Sequence, residues 1–331
     1  MQIIQGPFRF FAALIFVNAF FQVGALASVP SSPAQIISAA LTAPESETKY
    51  EQAKLAFDRI IAPEFDTSAV TAEVDELAAA ATRIAAGGTD IDKLKAVRQA
   101  IYDKGAWNSG RPFIYDHADP YGVDLQNKLL ATYLDTRKGN CVSMPILHLI
   151  VAERLGLNVS LSTAPLHVFV RYTNPTNGRS LAIEATSGGN PTREVWYHER
   201  MGVTEQQVEN GIYLGVLTKR ETIAVMASTV TEWLMSQGRY EEAIEVADVL
   251  LEYYPKDIHA VLSRGSAYGE LMRTEFVERF PTPAAIPPSL RPRYQMLAAQ
   301  NAAAFEQAEA WGWTPAPAPQ AAPQIGQGSG G

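Results

Sequence analysis

A single cysteine stands where a loop enters an apolar helix, and its position suits nucleophilic chemistry. Cys141 is the only cysteine among 331 residues, and an apolar run follows it at residues 146–155. Gly139 permits a tight turn with φ > 0, Asn140 suits the cap of the following helix, and Pro145 is tolerated in a first helical turn. First-turn amide hydrogens and the helix dipole then favour the thiolate. The alternative is that Cys141 is a small buried apolar side chain.

A cysteine nucleophile needs a base within hydrogen-bond reach, and the base needs an acceptor that orients it. Of the five histidines, His167 begins a predicted strand in the segment PLHVFVR at residues 165–171. Strand alternation places His167, Phe169 and Arg171 on one face. The other four are less suited. His148 lies two turns into the Cys141 helix, and the remaining three lie in polar surroundings: His117, His198 and His259.

An acidic residue in the next predicted strand is the candidate acceptor. Glu184 interrupts an apolar run at residues 181–186, where a buried carboxylate is costly unless it is paired. The NPTNG turn at residues 174–178 predicts an antiparallel hairpin. Residues whose numbers sum to about 351 or 352 then face each other, which places Glu184 opposite His167 or one residue away. Alternatively, Glu184 pairs with Arg171 or with backbone donors near Gly188 and only shapes the sheet.

These segments resemble the transglutaminase-like superfamily, and within it the bacterial proteins with a C-terminal tetratricopeptide region. The resemblance covers about residues 90–272 and rests on RKGNC at 137–141, RLGL at 154–157, PLHVFVR at 165–171 and IEATSGG at 183–189. It implies an α+β, papain-like domain with a helix packed on a small antiparallel sheet. It also implies a catalytic triad of Cys141, His167 and Glu184. The third position is usually Asp, and Glu184 has a longer reach.

Acyl transfer at the cysteine also needs donors for the developing oxyanion. One is expected to be the backbone amide of Cys141. Gln126 and Asn127, on the preceding predicted helix at residues 125–134, are candidates for the second. Either amide could equally face solvent or form a helix–helix contact.

Composition limits the classes of protein to which the chain can belong. Hydrophobic residues make up 47% and charged residues 19%, which is typical of a globular protein. The net charge of −8 argues against a nucleic-acid partner. Arg9, the apolar run at residues 10–21 and the small-residue pattern at 25–27 predict a signal peptide over residues 1–27 and export. The alternative is an uncleaved N-terminal anchor. A single cysteine excludes an internal disulfide.

The rest of the first predicted domain, residues 28–215 with a core at about 90–190, is mixed. Residues 28–50 are interpreted as a loosely held approach that contains a short apolar helix around residues 36–41. Further helices are predicted at 50–62, 67–86 and 90–104, the last with a capping box of Thr89 and Asp92. Strands are predicted at 157–162, 166–172 and 180–186. The Asp-rich loop at 107–124 fits no metal-ligand spacing, so neither a metal nor a cofactor is expected.

The C-terminal part is predicted to be all helical over residues 221–312. Its segment GRYEEA at 238–243, followed by Pro255, fits tetratricopeptide spacing, and a second unit begins near Ile258. Fewer than two full repeats are visible, so we expect this region to dock on the first domain. The Pro-, Ala-, Gln- and Gly-rich residues 313–331 are predicted to form a disordered tail.

Together these patterns predict an exported cysteine enzyme, which transfers acyl groups or hydrolyses amides through a Cys141 thioester. Its substrate would be a protein or peptide, with a protein partner at the helical repeats and no stable membrane insertion once the signal is cleaved. The alternative is a non-catalytic interaction module that uses the repeat region and keeps the triad as a relic.

Overall fold

The computed structural model describes residues 32–315, so the predicted signal peptide and the predicted tail from residue 316 onward lie outside the described residues. The described helices are α1 (Pro33–Thr42), α2 (Tyr50–Ile61), α3 (Thr67–Ala85), α4 (Asp90–Tyr102), α5 (Leu130–Thr136), α6 (Ser143–Arg154), α7 (Val195–Met201), α8 (Glu205–Glu209), α9 (Lys219–Ser236), α10 (Tyr240–Tyr253), α11 (Ile258–Met272) and α12 (Arg291–Ala310). The described strands are β1 (Ile114–Tyr115), β2 (Lys138–Gly139), β3 (Val159–Ala164), β4 (His167–Thr173), β5 (Ser180–Glu184) and β6 (Asn190–Thr192).

Helix α6 lies at the centre of the fold. It is apolar on every side, and all residues from 143 to 152 are buried. A helix without a polar face is stable in water only inside a core. Helices α2, α3, α4 and α5 pack around it, and β3 and β4 cover another side. The predicted α+β arrangement of a helix on a small antiparallel sheet is confirmed.

The sheet has the order β3-β4-β5-β6 with every pair antiparallel. One face carries Leu161, Val170 and Ile183 into the core around α6, and the other carries Phe169 and Ala182 toward Tyr197 of α7. The strand alternation is therefore as predicted. A two-residue turn, Pro165 and Leu166, joins β3 to β4.

The predicted register of the β4–β5 hairpin is wrong by one residue or two. Paired residues sum to 353, as in Val170 with Ile183 and Arg171 with Ala182. The cause is the end of the hairpin, where the Asn174 amide donates to the Arg179 carbonyl at 2.9 Å. Asn174 therefore continues the strand, and the loop is residues 175–178.

Two other segments differ from the sequence-based expectation. The helix predicted at 125–134 is a 3-10 turn (Leu125–Lys128) followed by α5, because Leu129 is extended between them. The Leu130 amide there donates to the buried carboxylate of Asp58 at 2.9 Å. The short helix predicted around residues 36–41 is α1, but it is not loosely held, since it buries Ile37 and Leu41 completely.

The helices α9 to α12 pack in succession, each against the next. Helix α9 also contacts α2 and β3, so this region shares its hydrophobic core with the sheet-containing part. Gly265 of α11 allows a close approach to α12, because a Cβ atom there would lie 2.8 Å from that of Ala304. The tetratricopeptide assignment and the domain limits stay predictions. No helix among residues 32–315 is both long and apolar enough to cross a membrane.

Candidate functional site

Cys141 lies two residues before the first turn of α6. Asn140 is not the predicted N-cap, because Val142 holds that position; the Asn140 Oδ1 instead accepts hydrogen bonds from the amides of Val142 and Ser143 at 3.0 and 3.1 Å and fixes the turn that carries Cys141. Gly139 does not adopt a positive φ, contrary to the prediction. It is required for packing instead, because a Cβ atom there would lie 2.4 Å from the Tyr133 ring.

His167 is the first residue of β4, directly after the turn that reaches Cys141. The Cys141 thiol donates to the Leu166 carbonyl, with Sγ and O 3.5 Å apart. The neighbouring His167 ring hydrogen bonds through Nε2 with Oε2 of Glu184 at 2.8 Å, and it lies close enough to the Cys141 side chain for that side chain to affect its pKa. The structure thus brings together the three residues that the sequence singled out, at 5%, 9% and 1% exposure for Cys141, His167 and Glu184.

The Glu184 carboxylate has a hydrogen-bond donor on each oxygen. Oε2 accepts from His167 and, at 3.4 Å, from the Tyr197 hydroxyl. Oε1 accepts from the amide and the hydroxyl of Thr186 at 3.1 and 2.7 Å. Arg171 contacts other acceptors, the Glu194 carboxylate at 2.7 Å and the Leu214 carbonyl at 2.5 Å. Thr186 therefore fixes the carboxylate through Oε1, while Oε2 holds the imidazole.

These contacts shift the proton affinities of the pair. Burial by itself lowers the pKa of His167, but the neighbouring Cys141 and Glu184 side chains outweigh it and raise that pKa from 6.5 to about 9. Burial tends to raise the pKa of Glu184, whereas the His167 and Thr186 contacts outweigh it and lower it. The imidazole is thus held as imidazolium at neutral pH, beside an ionised carboxylate.

The candidate oxyanion donors make other contacts. The Cys141 amide donates to the Pro120 carbonyl at 3.4 Å, a long hydrogen bond. The Asn127 side chain donates to Asp119 at 2.8 Å, and the Gln126 side chain is exposed. No hydrogen bond joins either side-chain amide to Cys141 within the described part of the chain. Their role as oxyanion donors stays a prediction.

The carboxylates of the Asp-rich loop organise its backbone. Asp119 accepts from the amides of Val123 and Asp124, at 2.6 and 3.3 Å, and Asp116 accepts from the Ala118 amide at 2.9 Å. Asp124 accepts from the Gln126 amide at 3.0 Å and so starts the 3-10 turn. These contacts place residues 116–124 against the Cys141 end of α6.

Sequence reasoning missed three contributors to the site. Thr186 and Tyr197 supply donors to Glu184, and Leu166 supplies the carbonyl that accepts from the thiol. Thr186 has a local signal, because a Thr two residues after an acid can return its hydroxyl and amide to the carboxylate. Tyr197 has none, since α7 reaches Glu184 only through tertiary packing.

Comparisons with known proteins show what the chain is similar to. Residues 68–230 match the family model described as the transglutaminase-like superfamily. A UPF0162 protein of Buchnera aphidicola subsp. Acyrthosiphon pisum is 29% identical over 192 residues, which cover 54% of this chain and 64% of that protein. The UPF0162 protein YchA of Escherichia coli K12 is 26% identical over 152 residues, and Protein SirB1 of Salmonella typhimurium is 26% identical over 147 residues; each match covers 42% of this chain and 51% of the relative.

The chain spans less than two thirds of the length of these curated relatives. No solved structure matches it. The region that matches the family model includes Cys141, His167 and Glu184, together with α6 and the four-stranded sheet.

Proposed function

We propose that the transglutaminase-like region is a cysteine enzyme that forms a thioester at Cys141 and passes the acyl group to water or to an amine. The observation that carries the proposal is the 2.8 Å contact between Glu184 Oε2 and His167 Nε2, with the Cys141 side chain beside the same ring. A nucleophile, a base and an orienting acceptor in that order are the requirement for this chemistry.

The reaction begins with the Cys141 thiolate, which attacks the carbonyl carbon of a peptide or side-chain amide and forms an S–C bond. The His167 imidazolium gives its proton to the leaving amine as the C–N bond breaks, and a thioester remains. Water or an acceptor amine then attacks the thioester carbon. His167 takes up the proton of the attacking group, the C–S bond breaks and the thiolate is restored. Glu184 holds the ring in place and stabilises its charged form throughout.

The test is covalent labelling of an intact cell envelope with an electrophilic activity probe, with wild type compared with Cys141→Ala. We expect labelling of the wild-type chain and none of the variant. The matched control is Ser143→Ala, since Ser143 is buried beside the cysteine but does not contact His167. Failure of the wild-type protein to react, when it is folded and abundant, would refute the enzyme proposal.

The second candidate function is a non-catalytic interaction module. The observation in its favour is a set of exposed apolar side chains in the C-terminal helical region, Val277, Leu290 and Met296. Under this alternative the triad is a relic and its thiol is inert. Capture of a partner that survives Cys141→Ala, together with absent labelling, would favour this alternative.

We also propose that the protein works outside the cytoplasm. The support is the sequence of residues 1–27, which combines Arg9, the apolar run at residues 10–21 and small residues at 25 and 27. N-terminal sequencing should find a mature chain that begins at Ser28. Residues 1–27 still attached in a membrane fraction would favour the anchor alternative.

A further inference from the structure

Two exposed apolar side chains flank Cys141 and come from separate segments. Leu166 is 76% exposed, and its carbonyl accepts from the Cys141 thiol. Tyr121 is 59% exposed and follows Pro120, whose carbonyl accepts from the Cys141 amide. Val123, the other neighbour of Gly122, is 84% exposed. We call Tyr121, Val123 and Leu166 the apolar rim. The backbone contacts with Cys141 place this exposed apolar surface next to the cysteine.

Leu166 has a backbone conformation that the fold does not explain. Its φ of 54° lies in the left-handed region, and it follows Pro165 in a two-residue turn. Proline at the first central position and positive φ at the second is the type II turn pattern, which normally has Gly at the second position. A leucine there is strained, and its exposed side chain gains little from packing.

The other described non-glycine residues with positive φ each have a structural reason for that conformation. Leu214 has φ 58° but is buried, and its carbonyl accepts from Arg171, so packing and hydrogen bonding stabilise it. Ala86, Ser109 and Arg137 end helical segments. Among the described non-glycine residues with positive φ, Leu166 alone presents a large apolar side chain to solvent. The Leu166 carbonyl does accept from the Cys141 thiol, but that bond needs no leucine side chain, and the side chain gains nothing from packing; a strained apolar side chain at this place points to a role toward a ligand.

The charges beside the rim restrict what it could bind. Asp116, Asp119 and Asp124 lie in the same loop as Tyr121 and Val123, and no Lys or Arg occurs between residues 112 and 127. An acidic segment of substrate would be repelled there. A large apolar side chain would cover Leu166 and Tyr121 and gain free energy from burial.

We infer that Leu166 is a specificity-determining residue, and that the acyl donor is a non-acidic peptide with a large apolar side chain within two residues of the reacting carbonyl. This inference rests on the proposed function. The apolar side chain seats on the rim, and the carbonyl next to it then lies over the sulfur. The turn keeps a strained leucine because glycine, which fits the backbone better, would leave the substrate no apolar surface.

The test uses dipeptidyl chloromethyl ketones, from which the Cys141 thiolate displaces chloride to form an S–C bond. The probes carry Leu or Asp at the first or second residue before the ketone, and Gly-Gly is the reference. Labelling rates are divided by the rate with iodoacetamide, which has no side chain to seat. For wild type we expect the faster Leu probe to have a normalised labelling rate roughly tenfold or more above that of the probe with Asp at the same position.

Leu166→Gly should reduce that ratio to within about threefold, while its melting temperature stays at or above that of wild type because the strain is removed. The matched control is Ala86→Gly, which relieves the same backbone conformation at the end of α3 and should keep the wild-type ratio. The inference would be overturned by a wild-type protein that labels no faster with the Leu probes than with the Asp probes, or by a Leu166→Gly variant that keeps the wild-type ratio. In either case rapid labelling by iodoacetamide would leave the enzyme proposal intact. If neither iodoacetamide nor any ketone labels the folded protein, the enzyme proposal fails and this inference fails with it.

Discussion

Glu184 reaches His167 diagonally across the β4–β5 hairpin, with Oε2 and Nε2 2.8 Å apart. The hairpin register, continued by one pair, places Phe169 opposite Glu184, so His167 lies two residues further along the same face. Diagonal neighbours in an antiparallel pair have Cβ atoms about 7 Å apart, within reach only of longer side chains. Glutamate therefore suits this register where aspartate is usual in the resembled family.

Shortening this side chain should break the contact. Glu184→Asp removes one methylene, so its carboxylate should fall short of the imidazole, and we expect Cys141 alkylation at pH 7 to slow by about tenfold or more. Glu184→Gln keeps the length and the fold but removes the charge, and it should slow alkylation as well. The measurement is the iodoacetamide rate constant of the folded variants. A lower melting temperature with an unchanged rate would mean that Glu184 only shapes the sheet.

The stability contribution of His167 should depend on pH. Its pKa rises from 6.5 to about 9 on folding, so its stabilising contribution is fully present below pH 6.5 and is lost as the pH rises through about 9. The difference in free energy of unfolding between wild type and His167→Ala should therefore be larger at pH 6 than at pH 10. Urea unfolding at the two pH values measures it. Equal differences would contradict an imidazolium held by Glu184 and Cys141.

His148 should make the protein sensitive to acid. It is fully buried on α6 against Tyr102, with no hydrogen-bond partner for either ring nitrogen among the described residues. Burial lowers the pKa of His148 from 6.5 to about 4, so protons bind the unfolded chain more tightly between these values. Stability falls as the pH drops from 6.5 to about 4, by up to about 3 kcal/mol.

His148→Leu should remove this loss, which urea unfolding at pH 7 and pH 4.5 would measure. The control is His117→Leu at an exposed position, which should keep the wild-type pH dependence. The same acid loss in His148→Leu as in wild type would exclude His148 as its source.

The packing of α11 on α12 should tolerate no side chain at Gly265. The added methyl group of Gly265→Ala would lie 2.8 Å from the Cβ of Ala304, so we expect a loss of about 1–3 kcal/mol in the free energy of unfolding. Gly269→Ala is the matched control on the same helix. Its methyl group would meet the Asn301 side-chain amide, which donates to the Gly265 carbonyl, at 3.0 Å, a less severe contact than the one at Gly265. Thermal unfolding that shows equal losses for both would contradict the close approach at Gly265.

The sequence contained the local features of the site. Strand alternation places His167 on the face of Phe169, because alternation follows from spacing along the chain. The same holds for the limits of α2 and α3 and for the Thr89–Asp92 capping box. Local chemistry determines each of these features.

The features that sequence reasoning missed depend on contacts between distant segments. The donor from Tyr197 to Glu184 requires α7 to lie over the sheet, and the extended Leu129 requires the buried carboxylate of Asp58. The hairpin register depends on whether Asn174 pairs with Arg179 or belongs to the turn. The turn motif does not decide between these two arrangements, which differ by one residue. Tertiary packing determines all three.

The central claim is that the Cys141 thiol is activated by His167, and its most direct test is the iodoacetamide rate constant at pH 6 for folded and for urea-unfolded protein. The account predicts that the folded wild-type protein reacts faster, by about tenfold or more, since an imidazolium stabilises the thiolate. It also predicts that His167→Ala abolishes the advantage in a protein that still folds. A folded wild-type protein that reacts more slowly than the unfolded chain would contradict the account, because the thiol would then be a buried side chain without activation.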